Sequence, residues 1–179
     1  MSLLGLLATT FWVLLPAYLP NNIAVLEGGN EPIDEEKKWH QKRILGDGKT
    51  WRGTSVGIAG GILAGMFLNA LRPELTAFYS FPEFTFKAIF SLATGAMLGD
   101  MAASFIKRRL GKSRGAAVPG LDQLDFLVGS LVLTYIMAPN WMRSNFTPDM
   151  IAVALIITPL LHVSANRIGY ELGYKNEPW

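Results

Sequence analysis

The segment TFKAIFSLATGAMLGDMAASFI, Thr85–Ile106, decides the fold. A helix needs roughly 20 residues to cross the hydrocarbon of a bilayer, and this run is long enough. It lacks the strict alternation of a membrane barrel strand. Four similar stretches lie outside it, at about Ser2–Leu19, Gly53–Leu71, Gln123–Ala138 (the shortest) and Asp149–Tyr170. The expectation is an all-α, polytopic integral membrane protein with about five transmembrane helices, built as a single domain over 1–179. Backbone polar groups in lipid must be satisfied internally, and helices do this. The first stretch has no basic residues before it, so it reads as a retained helix and not a secretory signal.

Charge agrees with this division. Only 17% of the 179 residues are charged, the net charge is +2, and cysteine is absent. Nucleic acid is therefore not an expected partner, and thiolate chemistry is excluded. Lys37, Lys38, Lys42, Arg43, Lys49 and Arg52 crowd the loop at about 21–52, and Lys107, Arg108, Arg109, Lys112 and Arg114 crowd that at about 107–122. The opposite side keeps Arg72, Lys87 and Arg143. The positive-inside rule then puts both polar loops and the C-terminus in the cytoplasm, and the N-terminus outside. The long first loop is expected to be partly mobile, with Gly46–Arg52 ordered.

Asp100 lies inside the deciding segment, where an unpaired carboxylate costs at least ~2.5–3.5 kcal/mol at mid-membrane. It needs a cation, a metal or water. Ser104 and Lys107 share its helical face, so a structural Asp100–Lys107 or Asp100–Arg pair is the plain alternative. Asp122 and Asp125 open the fourth span, three residues apart. Alone, Asp122 reads as an N-cap within a capping box. With Asp100 at the same membrane level, the three carboxylates form a hard-oxygen set suited to Mg²⁺, which usually takes one or two carboxylates plus substrate phosphates. Gly48-Lys49-Thr50 is not a Walker A motif, because Arg43 stands where the first glycine belongs. Lys49 and Thr50 remain ordinary phosphate donors. Thr158, His162 and Asn166 recur every fourth residue in the last span. His162 is either a base or substrate contact, or an interhelical hydrogen-bond partner. Pro20-Asn21-Asn22 reads as the end of the first helix. Gly53, Gly57, Gly61 and Gly65 form a close-packing stripe, preferably inside the monomer, with a homodimer interface as the other version.

Taken together, these residues resemble a family. Gly99-Asp100, Ser104-x-x-Lys107-Arg108, Arg114-Gly115 and Pro119-Gly120-x-Asp122-Gln-x-Asp125 resemble the core of the membrane CTP-dependent cytidylyltransferases, the CDP-diglyceride synthase superfamily. Pro20-Asn21-Asn22, Asp47-Gly48-Lys49-Thr50-Trp51-Arg52-Gly53 and His162-x-x-x-Asn166 resemble its short archaeal branch, the CDP-archaeol synthases. The His-Gly-Gly run of the bacterial signature is replaced here by Val118-Pro119-Gly120-Leu121, which suits the archaeal branch. The resemblance implies transfer of a cytidylyl group from CTP to an isoprenoid glycerol-ether lipid phosphate, 2,3-bis-O-geranylgeranylglycerol 1-phosphate, with Mg²⁺ on Asp100, Asp122 and Asp125. Lys107, Arg108 and Arg114 would hold phosphates, and Lys49 and Arg52 would close over them. Asn21 and Asn22 are candidates for the cytidine. Two readings compete. A CDP-alcohol phosphotransferase would need a different Asp spacing, and a transporter using Asp100 would spread its polar residues through both membrane halves.

Overall fold

The structure, a computed structural model, describes residues 2–75 and 79–174. Its elements are α1 (Leu3–Leu26), β1 (Lys38–Trp39), β2 (Lys42–Arg43), α2 (Trp51–Leu75), α3 (Phe86–Arg109), α4 (Leu121–Met137), α5 (Pro139–Asn145) and α6 (Pro148–Glu171). Hydroxyl side chains start the four long helices. Ser2 accepts from the Gly5 N–H at 3.1 Å, Thr50 from Gly53 at 3.1 Å, Thr85 from Ala88 at 3.2 Å and Thr147 from Met150 at 3.3 Å. Each satisfies an amide that the first turn leaves without a helical partner.

Among the described residues α1, α2, α3 and α6 are each long and apolar enough to cross a membrane. α4 has 17 residues, the lower end of spanning length, and passes the same test only together with α5, from which it is bent by 118°. The five expected spans are thus four long helices and one bent pair. The long helices run up and down, so both basic loops emerge at one end of the bundle.

α1 corrects the first expected boundary, because Pro20-Asn21-Asn22 does not end it. The helix continues through Pro16 and Pro20 to Leu26. A proline leaves the carbonyl four residues earlier without its donor. Pro20 frees the Pro16 carbonyl in this way, and α2 packs its backbone there: a Cβ on Gly61 would lie 2.7 Å from the Pro16 oxygen. Gly57 approaches the Pro20 carbonyl equally closely, and Gly65 meets Ile89 of α3. The glycine stripe is therefore spent within the monomer, on α1 and α3, and not on a dimer.

α3 and α4 form the tightest pair. A Cβ on Gly95 would lie 2.6 Å from the Gly129 carbonyl oxygen, and one on Gly99 would fall inside the Asp125 carbonyl. Polar bridges join them: Ser130 donates to the Leu92 carbonyl at 2.9 Å and Ser91 to Thr134 at 3.0 Å, all buried. At the opposite end from the basic loops, the segment 79–85 is tied by side chains. Trp12 donates to Pro82 at 3.0 Å, Trp141 to Glu83 at 2.7 Å and Arg72 to Phe81 at 2.7 Å. Asn69 exchanges two bonds of 2.8 Å with the Phe84 backbone.

The first loop carries its own folded backbone. Ile33 donates to Lys49 at 2.8 Å and Trp51 to Glu31 at 3.2 Å, closing its neck. Between them lies a small antiparallel hairpin with Lys38 opposite Arg43, turned through His40 and Gln41 at φ +49 and +61. That positive-φ pair is the backbone of a two-residue hairpin turn. Its sequence carried no Asn-Gly or Asp-Gly signal. The hairpin docks on the end of α3. The Trp39 ring stacks on Phe105 at 5.6 Å, and Arg109 donates to the Trp39 and Arg43 carbonyls at 2.6 Å each.

Candidate active site

A cavity of about 530 Å³ opens where the basic loops meet the bundle. Each of its walls comes from a different element. α3 presents Asp100, α4 presents Asp122 and Asp125, α1 presents Asn21 and Asn22, and α6 presents His162 and Asn166. Lys49 and Thr50 enter from the first loop and Arg114 from the second. The Arg114 guanidinium lies beside Gly48, so the two loops touch over the cavity.

Two of the three carboxylates pair with lysines, though not in the pairing expected. Asp100 pairs with Lys49, across from the first loop, instead of with Lys107 or an arginine. Lys107 reaches Asp122 instead, with its Nζ 2.9 and 3.0 Å from the two carboxylate oxygens. Asp122 also accepts from the Val118 N–H at 2.8 Å. It is not the N-cap of α4. Gly120 occupies that place at φ +84, and its N–H donates to the Gln123 side chain. The capping interpretation of Asp122 falls, and its carboxylate is committed to the cavity side and to Lys107. Asp125 lies in the electrostatic field of Asp100, Lys49 and Asp122.

The remaining sequence candidates separate into two groups. Thr50 lines the cavity but its oxygen already accepts from Gly53 and Gly29, so it is a cap first. Asn22 donates to the Tyr18 carbonyl at 2.9 Å. His162 and Asn166 are within 3.2 Å of each other, and His162 stacks on Phe126 at 6.2 Å. Arg52, Ser104 and Arg108 do not line the cavity. Arg52 pairs with Glu27 at 2.8 Å on the surface, and Arg108 donates to the Ser113 carbonyl at 3.1 Å.

Two polar atoms at the cavity are buried without a hydrogen-bond partner among the described residues: Asn21 Oδ1 and Thr54 Oγ1. Unpaired buried polar atoms are costly and point to a ligand that completes them. Sequence reasoning missed Thr54. Its only signal was position, one helical turn after Thr50, the residue that caps α2.

Asp34 was missed as well. Its side chain is 1% exposed and accepts from Arg43 at 2.6 and 3.2 Å, from Leu45 at 2.9 Å and from Gly46 at 3.0 Å. The Arg43 guanidinium, helped by these two amides, holds the Asp34 carboxyl well below the usual carboxylate range against the opposing effect of burial. Arg43 also reaches Asp47 at 2.6 Å, so this network fixes the turn that carries Lys49.

Among the described residues no three acidic or histidine side chains gather tightly enough to hold a metal ion by themselves. The donor set nevertheless fits Mg²⁺ completed by substrate. Its members are hard carboxylates, and two of them already attract ammonium cations.

A family model described as CarS-like CDP-archaeol synthase matches residues 3–179. The CDP-archaeol synthase of Halorubrum lacusprofundi is 51% identical over 177 residues, 98% of each chain. Those of Halobacterium salinarum and Methanococcoides burtonii are each 49% identical, over 100% and 93% of this chain and the whole of theirs. A solved structure, described as an intramembrane enzyme for archaeal membrane lipids biosynthesis, matches with a TM-score of 0.70 at 36% identity. It covers 87% of this chain and 91% of its own.

Proposed function

The chain belongs to the CarS-like CDP-archaeol synthase family, and from that premise we propose how its residues divide the work. It is a multi-pass membrane enzyme, a CTP-dependent cytidylyltransferase of archaeal lipid synthesis. The phosphotransferase and transporter readings are set aside by that membership. The proposal concerns the lipid, the metal, the membrane face and the role of each side chain.

The lipid substrate is 2,3-bis-O-geranylgeranylglycerol 1-phosphate. One of its phosphate oxygens attacks the α-phosphorus of CTP. A new P–O–P bond forms, the bond to the β-phosphate breaks, and diphosphate leaves. No protein nucleophile is needed, and catalysis rests on positioning and charge neutralisation. Asp100, Asp122 and Asp125 would hold Mg²⁺ together with substrate phosphates, and the ion would neutralise charge on the reacting groups. Lys49 and Lys107 now neutralise Asp100 and Asp122, and both would turn to phosphates bound beside those carboxylates. Arg114, beside Gly48, contributes the second loop's charge. Asn21 Oδ1 and Thr54 Oγ1 are the free polar atoms for the nucleotide's own donors and acceptors. The site faces the cytoplasm, where CTP is dissolved.

The observation that carries this reading is the convergence of three carboxylates from two spans with Lys49 from a loop, all lining one cavity. The decisive assay incubates purified protein with labelled CTP, the geranylgeranyl lipid phosphate and Mg²⁺, and follows cytidine label into extracted lipid. Label in the organic phase is expected, and its absence with active substrate present sinks the reading. Asp122→Asn and Asp125→Asn should each lower turnover by roughly 10²-fold or more, the scale of losing one charge-stabilising group, with helical content unchanged. Full activity in both variants would remove the pair from the mechanism.

A further inference from the structure

The hairpin of the first loop carries a surface that takes no part in the cavity. It is built on the end of α3. That helix has 24 residues, about 36 Å of length against roughly 30 Å of hydrocarbon. Its last turn holds Lys107, Arg108 and Arg109, so it stands in the headgroup layer and not in the hydrocarbon. Arg109 is spent on structure there. Its guanidinium lies 5.3 and 5.2 Å from the Trp39 and Phe105 ring centroids and bonds the Trp39, Lys42 and Arg43 carbonyls. Side chains alternate along a strand, so Trp39 and its partner Lys42 share one hairpin face, while Lys38 and Arg43 share the other. The Lys42 ammonium donates to the Arg109 carbonyl at 3.3 Å, and a Cβ on Gly111 would lie 3.4 Å from it. It therefore sits over the carbonyl end of α3, next to the exposed Lys112. Trp39 is 50%, Ile106 43% and Leu110 62% exposed at the same end of the helix.

We propose that the Trp39–Lys42 face of the hairpin and the end of α3 form a docking site for the headgroups of anionic bilayer lipids, with Lys42 and Lys112 on the headgroup phosphates and Trp39, Ile106 and Leu110 among the first methylenes. Charge argues for it. Among the described residues neither lysine pairs with a carboxylate, and the acids flanking the hairpin are mostly answered elsewhere. Arg43 holds Asp34 and Asp47, and Lys37 holds Glu35 at 2.7 Å, which leaves Glu36. Basic groups beside a membrane attract anionic headgroups. Apolarity argues for the same layer. A tryptophan ring suits the headgroup level, and a lysine lays its stem on apolar surface while its ammonium stays among polar groups. A topology signal alone needs only basic residues on that side. It needs no hairpin clamped by an arginine with an exposed tryptophan at its edge. The lipid bound here is a bystander and not the substrate, because none of these five residues lines the cavity.

The test uses the full chain in nanodiscs, with Gln41→Cys in the hairpin turn as the one thiol of a chain without cysteine. An NBD dye on that thiol is quenched by a trace lipid carrying a nitroxide on its headgroup. Quenching should be severalfold stronger in phosphatidylcholine nanodiscs that contain phosphatidylglycerol than in phosphatidylcholine alone, and raised salt should remove the difference. Adding Lys42→Gln should abolish most of it, and Lys42→Arg should keep it. Lys38→Gln removes the same charge from the other hairpin face and should also keep it. Equal quenching in the two bilayers overturns the site. An equal loss in Lys38→Gln and Lys42→Gln overturns it too, since net charge alone would then draw the lipid. Hydrogen exchange at the hairpin amides of the wild-type chain needs no substitution. It should slow when phosphatidylglycerol is present, and unchanged exchange counts against the proposal.

Discussion

Asp34 shows how a single carboxylate far from the chemistry can govern it. It gathers Arg43 and the Leu45 and Gly46 amides, and Arg43 in turn holds Asp47, two residues before Lys49. Breaking a buried, hydrogen-bonded ion pair is strongly destabilising because the partner charge is stranded. Asp34→Ala should therefore loosen the turn and raise KM for CTP about tenfold, equal to roughly 1.4 kcal/mol, with the melting temperature of the bundle little changed. Hydrogen exchange at the Leu45 and Gly46 amides should lose its protection in the same variant. Retained protection and an unchanged KM would show that the turn holds without Asp34. The pH dependence has a definite sign. A carboxyl held below its ordinary range contributes fully above that range and loses its effect only as pH falls toward the lowered value. Protection of these two amides in wild type should then persist below about pH 4, the ordinary carboxylate value. Asp100, Asp122 and Asp125 were legible in the sequence because a carboxylate in or beside an apolar run is costly enough to demand a reason. Asp34 was not, since it stands beside Glu35, Glu36, Lys37 and Lys38, where a buried acid looks like any surface charge. The lysine partners were not legible either. Asp100 and Lys107 share a helical face, but the loop brings Lys49 closer.

At the scale of elements, the α3–α4 contact sets the acidic cluster. Gly99 stands next to Asp100 and against the backbone of Asp125, so one close approach fixes the spacing of two carboxylates. A methyl at Gly99 meets backbone that cannot swing aside. Gly99→Ala should cost about 1–3 kcal/mol, as overpacking does, and should lower turnover beyond what the loss of folded protein explains. Gly60→Ala is the control, because its methyl would meet only the Ile23 side chain, and most closely its movable terminal carbon. Melting curves in detergent together with turnover per folded molecule decide this. Equal effects of the two substitutions would remove Gly99 from the positioning of the site. The sequence showed helix starts well, since a hydroxyl before an apolar run has a local cause. It misplaced the end of α1, because Pro20 reads as a stop until a glycine helix covers the carbonyl it frees. It showed α4 as short but not the 118° bend into α5, which is fixed by the Trp141 anchor on Glu83 and so by a partner distant in sequence. The glycine stripe of α2 was visible, but not its partners within the monomer.

For the whole molecule, the up-and-down order of the helices puts loops 27–50 and 110–120 at one end and the segment 79–85 with α5 at the other. That relative arrangement belongs to the fold. Which end meets the cytoplasm depends on charge, and the loop-bearing end holds nearly all the lysine and arginine, with Arg72, Lys87 and Arg143 left at the other. The chain contains no cysteine, so each introduced thiol reports one position without background. Lys112, in the second basic loop, and Ser80, at the opposite end, are both exposed. In sealed vesicles, Lys112→Cys should react with a membrane-impermeant maleimide only when the membranes are inside-out, and Ser80→Cys only when they are right-side-out. The reverse pattern would place the carboxylate cavity on the outer face, away from cytoplasmic CTP, and would contradict the proposed orientation. The same vesicles extend the argument to function. CTP supplied outside should support lipid labelling in inside-out vesicles alone, because the cavity lies where the two basic loops meet. If right-side-out vesicles label equally while sealed, nucleotide reaches the site by another path and the shared loop end is not its entrance.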